Sequence, residues 1–170
     1  LMAILASTKS GIEFSKIINT MNKIRPVEGR LEKIGKVKNN SKVILDYAHT
    51  PEALELALMN IKEQFSYSKI SLVFGCGGNR DFKKRPLMGK IAKKYSNEIY
   101  LTDDNPRNEK SFKIRNEIKK GIKNKRIYEI PDRKKAIQEA VKNLKTGDIL
   151  LVAGKGHEKT QDYGKKRTFF

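Results

Sequence analysis

The chain has 170 residues, 33% charged and 38% hydrophobic, enough for one domain with a proper core. No apolar run approaches the ~18 residues of a membrane span, and the single cysteine, Cys76, excludes an internal disulfide and suits the cytoplasm. The net charge of +18 invites a nucleic-acid reading, but the lysines are spread along the chain without an arginine-rich tract or interleaved aromatics, so neither nucleic acid nor membrane is expected as the main partner.

Residues 1–26 read as helical. Leu1–Ala6 finishes one helix and lacks the basic lead and cleavage pattern of a signal peptide. Gly11 breaks the helix, Ile12, Ile17, Ile18, Met21 and Ile24 form an apolar stripe on a second, and Pro26 ends it. Two such helices do not fold alone and are expected to pack on the rest of the chain or on a further domain. The start without Met and the abrupt Arg167-Thr168-Phe169-Phe170 suggest a piece of a longer protein.

Arg25–Arg30 reads as a linker. Leu31–Ile34 is a weak strand expected to pair with one beginning at Lys42, through a turn at Asn39-Asn40-Ser41. Val43-Ile44-Leu45 reads as a strand at the centre of a sheet. It stops at Asp46-Tyr47-Ala48-His49; Thr50 then suits an N-cap and Pro51 a first helical residue. The helix reaches about Phe65, with Leu54, Leu58, Ile61 and Phe65 on one face. Strand 70–74 runs into the glycine-rich loop 75–81. Pro86 starts a helix with Leu87, Ile91 and Tyr95 inward. Strand 98–101 ends in Thr102-Asp103-Asp104-Asn105-Pro106-Arg107. Phe112, Ile114 and Ile118 mark a helix ending near Gly121, residues 126–130 a strand, and Asp132 the cap of a helix carrying Ile137, Ala140, Val141 and Leu144. Strand 148–152 leads into Gly154-Lys155-Gly156-His157-Glu158.

Strand and helix alternate from 42 to 153. That pattern predicts an α/β, Rossmann-like fold, a mostly parallel sheet with helices on both faces. In a parallel sheet the four chemically unusual loops, after residues 46, 74, 101 and 153, share one edge, where such folds bind ligands.

The chemistry of those loops has two readings. In the loop at 102–107, Asp103 and Asp104 offer acceptors for an ammonium group, Pro106 stiffens the backbone, and Arg107 offers a planar fork to a carboxylate or phosphate. This suits a zwitterion such as an amino acid; the alternative is a charged surface turn. Gly75-Cys76-Gly77-Gly78 lacks the ending of a phosphate loop and fits a tight turn, with Arg80 beside it as an anion ligand. In the last loop Glu158 could accept an ammonium and Lys155 meet a phosphate, or the loop is mobile with solvated charges. His49 and His157, the only histidines, are too scattered for a zinc cluster or a hydrolase triad, and Cys76 fits a small buried residue.

Six motifs occur in order: Val27-Glu28-Gly29-Arg30; Asp46-Tyr47-Ala48-His49-Thr50-Pro51-Glu52-Ala53-Leu54; Phe74-Gly75-Cys76-Gly77-Gly78-Asn79-Arg80-Asp81; Lys84-Arg85-Pro86-Leu87-Met88-Gly89; Thr102–Arg107; and Val152-Ala153-Gly154-Lys155-Gly156-His157-Glu158. Together they resemble the C-terminal part of a Mur ligase. The resemblance implies that residues 1–26 end the central ATPase domain and that 27–170 form the Mur ligase C-terminal domain. It implies a cytoplasmic, ATP- and Mg²⁺-dependent ligase of peptidoglycan precursor synthesis. Such a ligase adds meso-diaminopimelate to UDP-N-acetylmuramoyl-L-alanyl-D-glutamate through an acyl phosphate. The phosphate loop, most metal ligands and the family's modified lysine would lie outside this chain, which alone would not catalyse.

Carried over by resemblance, Arg80, Asp104, Asn105, Pro106, Arg107, Gly154 and Glu158 bind the amino acid; Arg30 reaches ATP phosphate, Asp46 holds the ribose, and His49 lies near the nucleotide. Neither a catalytic residue nor a metal ligand is assigned. Asn79 replaces the family's common Asp, and Phe82-Lys83 its Lys-Gly, both flanking Arg80. The alternatives are a lysine-adding or folylpolyglutamate-type ligase, against which Arg107 and the His157-Glu158 loop speak, a non-catalytic binding module, and a nucleic-acid binder.

Overall fold

A computed structural model describes residues 2–21, 23–24, 27–37 and 40–170, with Lys36 described by its backbone alone. Leu1 in the first helix, Arg25 and Pro26 at the helix stop and linker, and Asn39 in the turn lie outside the described residues.

Six strands form one sheet: β1 (Glu32–Lys36), β2 (Lys42–Asp46), β3 (Ile70–Phe74), β4 (Glu98–Leu101), β5 (Tyr128–Glu129) and β6 (Ile149–Ala153). Their order is β1-β2-β6-β3-β4-β5, with β1 antiparallel and the other neighbours parallel. The α/β expectation holds. The last strand of the sheet, β6, inserts between β2 and β3, and both β3 and β6 are buried along their whole length. They are the continuous apolar runs that two covered faces demand. The sequence placed 43–45 at the centre; β2 instead lies one strand from the edge, and Val43 and Leu45 are half-buried.

Helices α3 (Pro51–Gln64), α4 (Lys84–Tyr95) and α5 (Ser111–Lys119) cover one face, and α6 (Arg133–Lys142) the other. Thr50 caps α3 by accepting from the Ala53 amide, and Asp132 caps α6 by accepting from the Lys135 amide. Leu54, Leu58 and Ile61 of α3 meet Leu72 and Leu151, all essentially inaccessible. Each such side chain contributes roughly 1.5–3 kcal/mol. On the opposite face Ala136 and Ala140 of α6 pack with Val73, Tyr100 and Val152.

Three helix faces differ from the expectation. In α4 the inward residues are Arg85, Met88, Gly89 and Ala92, with Ile91 and Tyr95 at the margin and Leu87 exposed. In α5 Arg115 turns in with Ile114 and Ile118, whereas Phe112 is exposed. In α6 the inward face also carries Arg133. Strand β5 is shorter than the expected 126–130; Ile130 still donates to the Leu101 carbonyl at 2.9 Å, and Pro131 then offers no amide to continue the ladder. A short hairpin, β7 (Thr160–Asp162) with β8 (Arg167–Phe169), follows β6.

Helices α1 (Met2–Lys9) and α2 (Phe14–Met21) bury no residue, and Phe14, Ile18 and Met21 are exposed. They do not pack into the core of this chain. No helix among the described residues is long and apolar enough to cross a membrane.

Candidate amino-acid site at the sheet edge

The loops after β2, β3, β4 and β6 converge on a cavity of about 540 Å³. His49, Arg80, Asp104, Asn105, Arg107, Gly154 and Glu158 line it. Of the other residues that the sequence singled out, Pro106, Arg30 and Asp46 do not. Pro106 is buried behind the loop.

Successive residues leaving a strand point to opposite sides. Asp103 keeps the side of Ile99 and Leu101 and pairs with Arg115 of α5. Burial raises its carboxyl pKa above the ordinary value, against the opposing pull of Arg115. Asp103 is therefore a structural ion pair, not a second acceptor for an ammonium. Asp104 turns to the cavity. Its Oδ1 accepts from the Asn105 amide at 2.7 Å, while Oδ2 is buried without a hydrogen-bond partner. A buried anionic oxygen left unmatched is costly unless a ligand supplies the donor.

Arg107 sits at φ 52 in the left-handed region, a conformation that non-glycine residues keep only under constraint. The constraint is visible. Its amide donates to the Asp162 carbonyl at 2.9 Å, and Nη1 donates to the Gly78 carbonyl at 2.7 Å. The hairpin fixes the loop from behind: Gln161 Nε2 donates to the carbonyls of Asp103 and Asp104 at 3.0 and 2.8 Å. Nothing in the sequence reading anticipated this brace.

The glycine loop is stitched to the same loop. Gly78 donates to the Asn105 carbonyl at 2.8 Å, and a Cβ there would stand 1.9 Å from the Pro106 carbonyl oxygen. Only glycine allows that approach. Arg85, 1% exposed, binds both oxygens of Glu109 at 2.9 Å, Glu117 at 2.7 Å and the Gly77 carbonyl at 3.1 Å. Glu109 also accepts from the Asn79 amide. Asn79, the departure from the family pattern, stands at φ 52, which Asn tolerates, and its Oδ1 accepts from the Asn108 amide at 3.1 Å. Arg80 is thereby carried on a braced turn, with its side chain exposed at the cavity.

The Gly154–Glu158 loop is not a loop of solvated charges. Gly154 takes φ 108, where a Cβ would meet Asp104 Oδ2 at 3.0 Å. Lys155 is 1% exposed and turned inward, so it does not offer itself to a phosphate. Burial works to raise the Glu158 carboxyl, but the Lys155 hydrogen bond and charge, the Asn105 hydrogen bond and the His157 charge outweigh it and hold the carboxyl below its usual range. Cys76 lies under the glycine loop; burial pushes its thiol up to about 12, which rules out a ready thiolate nucleophile.

At one side of the cavity lie Arg30, Asp46 and His49. The Arg30 guanidinium stacks over Tyr47 at 4.4 Å, and His49 meets the same ring edge-on at 4.7 Å. Asp46 is buried, and its two oxygens accept from the Leu31 and Ala48 amides at 2.7 and 2.8 Å. It ties the segment bearing Arg30 to the end of β2. Among the described residues no group of three or more His, Cys, Asp or Glu could hold a metal ion.

The family model described as "Mur ligase, glutamate ligase domain" matches residues 29–156. The chain belongs to the Mur ligase family. This Mur ligase domain is 48% identical over 162 residues to the UDP-N-acetylmuramoyl-L-alanyl-D-glutamate--2,6-diaminopimelate ligase of Rickettsia bellii, covering 95% of the chain and 33% of that protein. It is 48% identical to the enzyme of the same name from Buchnera aphidicola, over 95% of the chain and 32% of that protein. A solved structure of a ligase of that name superposes with a TM-score of 0.76 at 37% identity, over 99% of the chain and 34% of its own. The chain thus spans about a third of the length of the curated relatives it matches.

Proposed function

We propose that this Mur ligase domain is the part of an ATP-dependent amide-bond ligase that binds and presents the incoming amino acid, meso-diaminopimelate, for joining to UDP-N-acetylmuramoyl-L-alanyl-D-glutamate. The observation that carries the reading is the unpartnered, buried Asp104 Oδ2 in the same cavity as Arg80 and Arg107. Asp104 and Glu158 face an ammonium group; the two arginines face carboxylates. Diaminopimelate has an amino-acid terminus at each end, so it needs both signs twice. Lysine lacks the distal carboxylate and would leave one arginine without a ligand carboxylate, Arg107 keeping only the long contact to Asp162 at 4.0 Å.

In this reading the chain's residues orient the amine and exclude other geometries; the proximity so gained is their contribution to rate. Gly154, at its positive φ, keeps the floor beside Asp104 open. Pro106 acts through the loop's stiffness rather than by contact. Arg30 and His49, gathered on Tyr47, would face the ATP phosphates, and Asp46 would take ribose hydroxyls through the acceptor capacity that its two backbone bonds leave. ATP, when bound, would supply the phosphoryl group that activates the UDP-dipeptide carboxylate as an acyl phosphate, with ADP as the leaving product. Among the described residues no carboxylate cluster fits Mg²⁺, whose ligands in this reading lie outside this chain. Residues 1–26 are the end of the preceding ATPase domain, and the setting is the cytoplasm.

The test uses the full-length protein with ATP, the UDP-dipeptide and meso-diaminopimelate. ADP release coupled to a UDP-tripeptide product, lost when any one substrate is withheld, supports the reading. ADP release indifferent to the amino acid overturns it.

A further inference from the structure

The last cavity loop contains an ammonium group that the proposed chemistry leaves unused. Lys155 Nζ donates to Glu158 Oε2 at 2.6 Å and to Asn105 Oδ1 at 2.8 Å. Asn105 closes the triangle by donating from Nδ2 to Glu158 Oε2 at 3.3 Å, and its Oδ1 also accepts from the Asp162 amide at 2.9 Å. An ammonium only donates, so Lys155 forces the carbonyl oxygen of Asn105 inward and its amide nitrogen toward Glu158. One buried side chain therefore sets the orientation of two cavity residues that come from different strands, β4 and β6.

We propose that Lys155 is a positioning residue that holds Asn105 and Glu158 in the geometry that receives the amino acid's ammonium group. The inference rests on reading the cavity as an amino-acid site. Its physical content is twofold. The ion pair fixes a long carboxylate side chain, itself about a third exposed, that would otherwise sample many rotamers. It also keeps Glu158 ionised while neutralising much of its charge, which leaves Asp104 Oδ2, without a hydrogen-bond partner, as the open acceptor at the floor. The charged groups around Glu158 are Lys155, His157 and Lys159 on its own loop, Asp104 and Arg107 after β4, Arg80 after β3, Glu28 before β1, and Arg133 of α6, whose charge reaches it through the loop.

The experiment compares full-length wild-type enzyme with Lys155→Met in steady-state kinetics. Loss of a charge-assisted hydrogen bond of this kind costs roughly 10–100-fold. The expected result is a KM for meso-diaminopimelate raised by that factor, with the KM for ATP unchanged within about twofold. The penalty should be larger at about pH 6 than at about pH 9, because Glu158 without its cation protonates more readily. Glu158→Gln is run alone and with Lys155→Met; the double variant leaves neither member of this ion pair without its partner and keeps the test open should the single one misfold. The two effects should be far from additive. Equal rises in both KM values, a penalty independent of pH, or additive effects overturn the proposal. If wild type uses diaminopimelate and Lys155→Met matches it, this inference alone fails; if wild type ignores the amino acid, the reading of the cavity fails with it.

Discussion

Replacing Asp104 with asparagine changes one buried atom and almost nothing else. The bond from the Asn105 amide to Oδ1, at 2.7 Å, survives in asparagine. Oδ2, buried and without a partner, becomes an NH₂ group that donates instead of accepting. An ammonium about 3 Å from a carboxylate gains at most about 5 kcal/mol at an effective dielectric near 20. After desolvation a charge-assisted hydrogen bond is worth about 1.5–3 kcal/mol. Asp104→Asn should therefore raise the KM for the amino acid by roughly 10–150-fold. ADP release by the full-length enzyme, at saturating ATP and UDP-dipeptide, measures it. No hydrogen bond within the protein is lost, but the Asp104 charge also favours the buried Arg133 guanidinium; a thermal unfolding scan run alongside separates any loss of stability from the loss of binding. A KM within about threefold of wild type in a well-folded variant would refute the assignment of Asp104 as the ammonium acceptor.

Arg85→Met strips the glycine loop of its brace, and breaking a buried pair of this kind costs roughly 3–5 kcal/mol, readable as a drop in urea midpoint. The Arg85 hydrogen bond, against the pull of burial, holds the Glu109 carboxyl below its ordinary value. A depressed carboxylate contributes stability that is present above the unfolded value, about 4.3, and is lost as pH falls through the lower folded value. The stability gap between wild type and Arg85→Met should thus be full at about pH 7 and narrow below about pH 4; a gap that persists in acid would contradict the ion-pair account. Gly78→Ala drives a Cβ into the Pro106 carbonyl and should weaken amino-acid binding more than tenfold, while leaving the KM for ATP near wild type, by the same kinetic assay. Cys76 should resist iodoacetamide at about pH 8 until the protein is unfolded in denaturant; rapid labelling of native protein would show that the thiol is not buried.

Much of the fold was legible because local signals agreed. The Thr50-Pro51 cap, the apolar runs of β3 and β6 and the alternation of strand and helix all pointed one way, and parallel topology then forced the four loops to one edge. Three arginines were not legible as core residues. Arg85 shares its face with Met88 and Ala92, Arg115 with Ile118, and Arg133 with Ala136 and Ala140, all at spacings of three or seven. Helical period alone places them inward; their charge argued for solvent, and only partners remote in sequence reverse that: Glu109 and Glu117 for Arg85, Asp103 and Glu129 for Arg115, and the Ala153 carbonyl with the charges of Asp104 and Glu158 for Arg133. The division of labour between Asp103 and Asp104 was readable in principle from strand parity, which puts Asp103 with Leu101. Lys155 was not, since its partner Asn105 lies 50 residues away. The hairpin that backs Arg107 is too short and polar to announce itself.

The central claim is that this cavity reads a zwitterion with a second carboxylate. The most direct measurement is the ratio of kcat/KM for meso-diaminopimelate to that for L-lysine, in full-length wild type and in Arg107→Ala. The account predicts a ratio above about 100 in wild type, from a charged contact worth about 3 kcal/mol, that collapses toward unity in the variant mainly through loss of diaminopimelate turnover. A wild-type ratio near unity, or one that Arg107→Ala leaves intact, would contradict it.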